Sequence, residues 1–217
     1  MGFKGAIFDL DGVLVNTVPI HYKAWKKMFS EYGRNFTFEE YKQKVDGIPR
    51  FDGARAILTE FSDEDIKKAC DKKQVYFLEF VEKDKIPVHK STFKLIKNLK
   101  SRSIKIALIS SSKNCKMVLK KIDATDLMDV VIDGNDITKG KPDPQIFLMA
   151  AKKLKIEPEN CLVFEDAVLG VEAAKRAKML CIGIDRYASP ERLKQADLVV
   201  DSLSRVDYKK IEGLFTK

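Results

Sequence analysis

The sequence predicts an α/β protein, a doubly wound parallel sheet into which an all-helical segment is inserted after the first strand. Three observations carry this. An apolar run, Ala6-Ile7-Phe8, ends abruptly in the acids Asp9 and Asp11. From about residue 100 to the end, short β-type apolar runs alternate with helical stretches, the pattern of a parallel sheet covered on both faces. Between these two regions, over residues 17–84, only helical periodicity occurs.

The elements follow in order. Residues 4–8 read as a buried strand. Over 17–32, Val18, Tyr22, Trp25, Phe29 and Tyr32 recur at three-four spacing on one helix face, and Gly33 ends the helix. Shorter helices are expected over 38–45 and 51–61. Ser62-Asp63-Glu64-Asp65 forms an acidic start for a long helix through Val81. Ser91-Thr92 is expected to cap a helix reaching Lys100. Strands are then expected at 105–109, 130–132, 161–164, 180–184 and 198–200, separated by helices over 113–122, 144–154 and 167–178. This gives a core domain of residues 1–16 and 85–217 and a helical domain of residues 17–84, joined by short hinges.

At 217 residues the chain can bury a full core. Cys70, Cys115, Cys161 and Cys181 are widely spaced, form no Cys-x-x-Cys and sit among apolar or helical residues, as small buried hydrophobes do. No basic-then-apolar leader precedes the first strand, and no apolar run approaches the ~20 residues that span a bilayer. A cytoplasmic, monomeric protein is expected. The net charge is +8, from 40 Lys and Arg against 32 Asp and Glu. The lysines are scattered over helix faces among acids, so neither a nucleic-acid nor a membrane partner is expected, while a small phosphorylated substrate would gain from the positive field.

Four polar groups fall just beyond expected strand ends, where an open α/β sheet gathers its ligand-binding side chains. Asp9 and Asp11 lie two apart, on one side of an extended chain, so two acids share one place. Ser110-Ser111-Ser112-Lys113-Asn114 supplies more hydroxyls and helix-start amides than capping needs, and suits a phosphate. Lys141 sits in Gly140-Lys141-Pro142-Asp143-Pro144, where the prolines restrain the loop and so aim the lysine. Glu165-Asp166 ends another apolar strand. Hard oxygen donors of this kind, added to Asp9 and Asp11, suit Mg²⁺. A carboxylate nucleophile, a cation, a phosphate cradle and a fixed lysine are together the parts needed to form an aspartyl phosphate.

With these motifs in this order, the chain resembles the haloacid dehalogenase superfamily, and within it the β-phosphoglucomutase-like phosphatases and phosphomutases with a Rossmann-like core and a helical cap. The resemblance spans nearly the whole chain. It implies Asp9 as nucleophile, Asp11 as general acid and base, and Ser110 and Lys141 as holders of the phosphoryl group. Glu165 and Asp166, with Asp9 and the Asp11 carbonyl, are implied to hold magnesium. In the cap, Thr17, His21 and Trp25 match at the family's spacing. Residues 46–53, with Gly47 and Arg50, resemble the substrate loop, Arg50 gripping the phosphate that is not transferred. Lys72, four residues before Tyr76, resembles a cap lysine of the family, with a solvated helix lysine as the alternative. Asn16 replaces an acid found in many relatives, and Val88-His89-Lys90-Ser91-Thr92 replaces the usual aromatic-Pro-Gly turn.

The expected reaction is Mg²⁺-dependent phosphoryl transfer on a small phosphosugar, by a mutase or a phosphatase, with a general sugar-phosphate or trehalose-phosphate-like phosphatase as the alternative. A dehalogenase has no need of Asp11 as proton donor or of the Glu165-Asp166 pair. A phosphonatase needs a cap lysine for imine formation. A non-catalytic binding module would tolerate loss of Asp9 or Asp11.

Overall fold

In a computed structural model of the chain, which describes residues 2–46 and 48–216, contacts divide the polypeptide into two compact units, Met1–Asn16 with Pro87–Lys217, and Thr17–Ile86. The second junction falls after residue 86 rather than at 84, because the Pro87 carbonyl accepts a hydrogen bond from Asn16 N–H at 2.9 Å and so belongs with the core.

The core unit contains β1 (Gly5–Asp9), followed after the insertion by α5 (Lys90–Lys100), β2 (Lys105–Ile109), α6 (Cys115–Lys121), β3 (Val130–Ile132), α7 (Gln145–Leu154), β4 (Cys161–Glu165), α8 (Val168–Arg176), β5 (Leu180–Ile184), β6 (Leu198–Val200) and α9 (Tyr208–Phe215). The helical unit contains α1 (Val18–Glu31), α2 (Phe38–Lys44), α3 (Arg50–Arg55) and α4 (Asp63–Lys83). Among the described residues the strands form one parallel sheet in the order β3-β2-β1-β4-β5-β6. Strands β1 to β3 are added on one side and β4 to β6 on the other, so the winding switches between β1 and β4, the place where open α/β sheets hold their ligands.

Strand alternation gives both faces an apolar set. Ile7, Ala107 and Val163 stand side by side and pack with Ile146, Phe147 and Ala150 of α7 and Ala174 of α8. Phe8 and its neighbour Phe164 point the other way, stacked at 4.3 Å and fully buried, a pair contributing ~0.5–1.5 kcal/mol beyond its area. The four cysteines are buried and unbridged. No helix among the described residues is long and apolar enough to cross a membrane.

The helical unit has its own core of Trp25, Phe29, Phe36, Tyr41, Leu58, Ile66 and Ala69. Ser62 caps α4, its hydroxyl accepting from Asp65 N–H at 3.2 Å. Two expectations fail locally. The helix expected over 51–61 stops at Arg55, whose guanidinium donates to the Phe61 carbonyl and folds the segment back on itself. Ser91-Thr92 is not a cap: α5 starts at Lys90 with His89 at the cap position. Thr92 is buried and its hydroxyl donates instead to the Val13 carbonyl at 2.6 Å.

Candidate active site

Asp9 is the last residue of β1 and lies between β2 and β4, with Ile109 beside it and Ser110 next along β2. Its carboxylate is buried, 7% exposed. Lys141 reaches it from the loop before α7, with Nζ 2.6 Å from Asp9 Oδ1, and also contacts Glu165 Oε1. The Glu165 side chain is fully buried, and its Oε2 accepts from the backbone N–H groups of Asp166 at 2.7 Å and Ala167 at 2.8 Å. Gly170, in the first turn of α8, makes room for it: a Cβ there would stand 1.9 Å from Glu165 Oε1.

Gly12 turns the chain immediately after Asp11. It adopts φ +74°, and a Cβ would stand 1.8 Å from Asp166 Oδ2, so no side chain fits between the turn and that acid. Gly12 N–H donates to the Val15 carbonyl at 2.7 Å and closes the turn. Asp11 and Asp166 thereby come to the same edge as Asp9.

The electrostatics follow from this crowding. Burial raises the Asp9 carboxyl well above the usual range; Lys141 opposes the rise, and Glu165, Asp11 and Asp166 add to it. Burial and then Glu165 push Asp166 up to about 7, against the pull of Lys141. Burial alone would lower Lys141, but Asp9 and Glu165 outweigh it and raise the ammonium's pKa, so Lys141 stays charged.

Ser110 is buried, its hydroxyl oxygen accepting from Ser112 N–H at 3.0 Å. The Ser112 hydroxyl accepts from Asn114 N–H at 3.2 Å. These turns keep the backbone of 110–114 in a fixed loop, and α6 begins at Cys115 rather than at 113. Ser111 and Lys113 are exposed, while Ser112 and Asn114 are half-buried.

The donor chemistry at this edge suits magnesium: every candidate ligand is an oxygen, and Asp9 and Asp166 are pushed toward protonation by burial and neighbouring acids, a cost that a divalent cation would reverse. Among the described residues no group of three or more His, Cys, Asp or Glu stands ready-made to hold a metal. The two Glu165 oxygens are already used, one by Lys141 and the other by two backbone amides. Glu165 thus braces Lys141, and Asp9, Asp11 and Asp166 are the other carboxylates at this edge.

The helical unit carries a second polar cluster. His21 stacks on Phe77 at 4.2 Å, and its Nδ1 lies 2.9 Å from Lys73 Nζ. Because an ammonium only donates, Nδ1 accepts and the ring proton sits on Nε2. Burial, then Lys73 and Arg50, hold His21 well below its ordinary pKa, so the ring is neutral at pH 7. Lys73 is 3% exposed, with Nζ over the rings of Phe77 and Trp25. Arg50 donates to Gln74 Oε1 at 2.5 Å. Thr17 is buried at the start of α1, its carbonyl accepting from His21 N–H at 2.9 Å. Trp25 is buried against Phe29.

Lys72 does not join this cluster, which corrects the sequence-based expectation. It pairs with Glu31 at 2.9 Å on the exposed side of α4, while the helical period turns its neighbour Lys73 inward with Ala69 and Phe77. Gly47 lies outside the described residues. Sequence reasoning also missed Gly170, for which the signal was a glycine one helical turn after the acid pair.

A model of the haloacid dehalogenase-like hydrolases matches residues 3–178. A β-phosphoglucomutase of Bacillus subtilis (strain 168) is 32% identical over 211 residues, covering 93% of this chain and 90% of that protein. A phosphorylated carbohydrates phosphatase of Thermotoga maritima is 31% identical over 190 residues, covering 84% of this chain and 83% of that protein. The crystal structure of a β-phosphoglucomutase from Clostridium difficile superposes with a TM-score of 0.84 at 32% identity, over 99% of this chain and 97% of that one. The chain is thus an enzyme of the haloacid dehalogenase-like hydrolase family, in its β-phosphoglucomutase-like branch of phosphatases and phosphomutases.

Proposed function

We propose that the protein transfers the phosphoryl group of a small phosphosugar through an aspartyl phosphate on Asp9, with magnesium as cofactor. The observation that carries this reading is the buried Asp9 carboxylate at the switch point of the sheet, held by Lys141 at 2.6 Å. The similarity to a β-phosphoglucomutase and to a phosphorylated carbohydrates phosphatase supports the substrate class.

In the first step an Asp9 oxygen attacks phosphorus, the bond from phosphorus to the ester oxygen breaks, and Asp11 gives its proton to the departing alkoxide. Lys141 opposes the rise that burial imposes on the Asp9 carboxyl and neutralises charge gathering on the phosphoryl oxygens. Ser110 and the loop amides of Ser111 and Lys113 orient those oxygens. In the second step Asp11, now a base, takes the proton of the attacking hydroxyl, and the acyl phosphate opens to return Asp9 as carboxylate. Water as attacker makes a phosphatase; a sugar hydroxyl makes a mutase. Asp9, Asp166 and the Asp11 carbonyl would hold magnesium, whose positive charge would let a negative nucleophile approach a negative ester.

Within the helical unit, Arg50, Lys73 and neutral His21 form a polar cluster whose donors suit the hydroxyls or a phosphate of a phosphosugar. A panel of phosphosugars, assayed with magnesium and with or without a sugar bisphosphate, tests the reading. Turnover of at least one phosphosugar well above p-nitrophenyl phosphate is expected, and activation by bisphosphate identifies the mutase. Phosphate release from aryl phosphates only, across the panel, would contradict the assignment of substrate.

A further inference from the structure

The turn that follows Asp11 is held by three consecutive carbonyls. Gly12 O accepts from Arg186 Nε at 2.7 Å, Val13 O from the Thr92 hydroxyl at 2.6 Å, and Leu14 O from His89 N–H at 2.9 Å. Only the first of these bonds comes from a charged side chain, and it spans 174 residues of sequence.

Arg186 lies just beyond β5, in a loop that is itself braced. The Asp185 carboxylate accepts from Tyr187 N–H at 2.9 Å and Ser189 N–H at 2.7 Å, and Asp185 N–H donates to Val200 O at 2.8 Å. The guanidinium is thus delivered to β1 from a fixed base. There it meets two things at once: the Gly12 carbonyl, and the field of Asp166, whose carboxylate fills the space where Gly12 lacks a side chain. Its Nη2 is buried without a hydrogen-bond partner, as is His89 Nε2 nearby.

We propose that Arg186 is a positioning residue for the reaction: by holding the Gly12 carbonyl beside Asp166, it sets the Asp11 turn against the acid that faces it. The inference rests on the roles assigned above to Asp11 and Asp166. Lysine cannot substitute, because the contact uses the inner nitrogen of a planar fork and a lysine has no donor at that place along its stem.

The test uses the whole protein and compares wild type with Arg186→Ala and Arg186→Lys. Both variants are expected to lose about tenfold to a hundredfold in kcat, with KM for p-nitrophenyl phosphate changing by less than about threefold, the scale found when the partner that orients a reacting group is removed. Millimolar guanidinium is expected to restore part of the activity of Arg186→Ala and none of that of Asp9→Asn. Independently of turnover, amide hydrogen exchange in a peptide spanning residues 10–16 is expected to speed up in Arg186→Ala. A kcat within twofold of wild type together with unchanged exchange would overturn the proposal. So would a loss that follows only the unfolded fraction and is not rescued. Absence of turnover in wild type would instead sink the functional reading, with the exchange result still deciding whether Arg186 holds the turn.

Discussion

Lys141 Nζ lies 2.6 Å from Asp9 Oδ1 and bridges that carboxylate to Glu165, so a single ammonium serves two buried acids that belong to different strands. Replacing it by methionine leaves both acids without their cation. The expected result is a loss of turnover of at least about a hundredfold, together with a fall in stability. Breaking a buried pair costs roughly 3–5 kcal/mol, an upper bound here because Asp9 can take up a proton instead. Urea denaturation and steady-state kinetics of Lys141→Met check both parts.

Gly170→Ala should act on the same lysine from a distance. The added Cβ meets Glu165 Oε1 at 1.9 Å, and Glu165 in turn holds Lys141. Overpacking of this kind costs about 1–3 kcal/mol. A drop in kcat of about tenfold, with the mutated side chain touching neither substrate nor Asp9, is the expected outcome. Unchanged kinetics would show that Glu165 does not govern Lys141.

In the helical unit, Lys73→Met and Arg50→Ala should raise KM for a phosphosugar by about tenfold or more while changing that for p-nitrophenyl phosphate far less, since removing a charged hydrogen bond costs about 1.5–3 kcal/mol. Lys72→Ala should leave both substrates unaffected, because its partner Glu31 lies on the solvent side. Equal losses for both substrates would remove Arg50 and Lys73 from substrate recognition.

His89 gives the protein a pH-dependent component of stability. Burial, then the charge of Arg186, pushes its imidazole down from 6.5 to about 4 in the folded chain. The unfolded chain therefore binds a proton first, so this contribution is complete above pH 6.5 and is lost as pH falls from 6.5 toward 4. Allowing for partial exposure it amounts to about 1–2 kcal/mol. Urea midpoints of wild type and His89→Gln at pH 7.5 and pH 5 should show a shallower pH dependence in the variant. Identical slopes would exclude His89 as the source.

The sheet and the reactive edge were legible because they are local. An apolar run announces β1, its parity places Asp9 and Asp11 together, and the serine cluster and second acid pair come at strand ends, while Lys141 lies in the proline-restrained loop between β3 and α7. What stayed hidden depends on contacts between distant segments. Whether Lys72 or Lys73 turns inward is a rotation of one residue on α4, decided by how Ala69 and Phe77 pack. That Glu165 spends its oxygens on Lys141 and two amides follows from the tertiary fold, and so does the reach of Arg186 to Gly12. Thr92 reads as a cap in sequence because a hydroxyl near a helix start usually is one; only the fold places the Val13 carbonyl within its reach.

The most direct test of the central claim is acid quenching of the enzyme during turnover of a phosphosugar with magnesium, followed by mass analysis of the peptide that contains residue 9. One hydroxylamine-labile phosphoryl group on Asp9, absent from Asp9→Asn, is the predicted result. Steady turnover with no such adduct on Asp9 in wild type, or wild-type activity in Asp9→Asn, would contradict it.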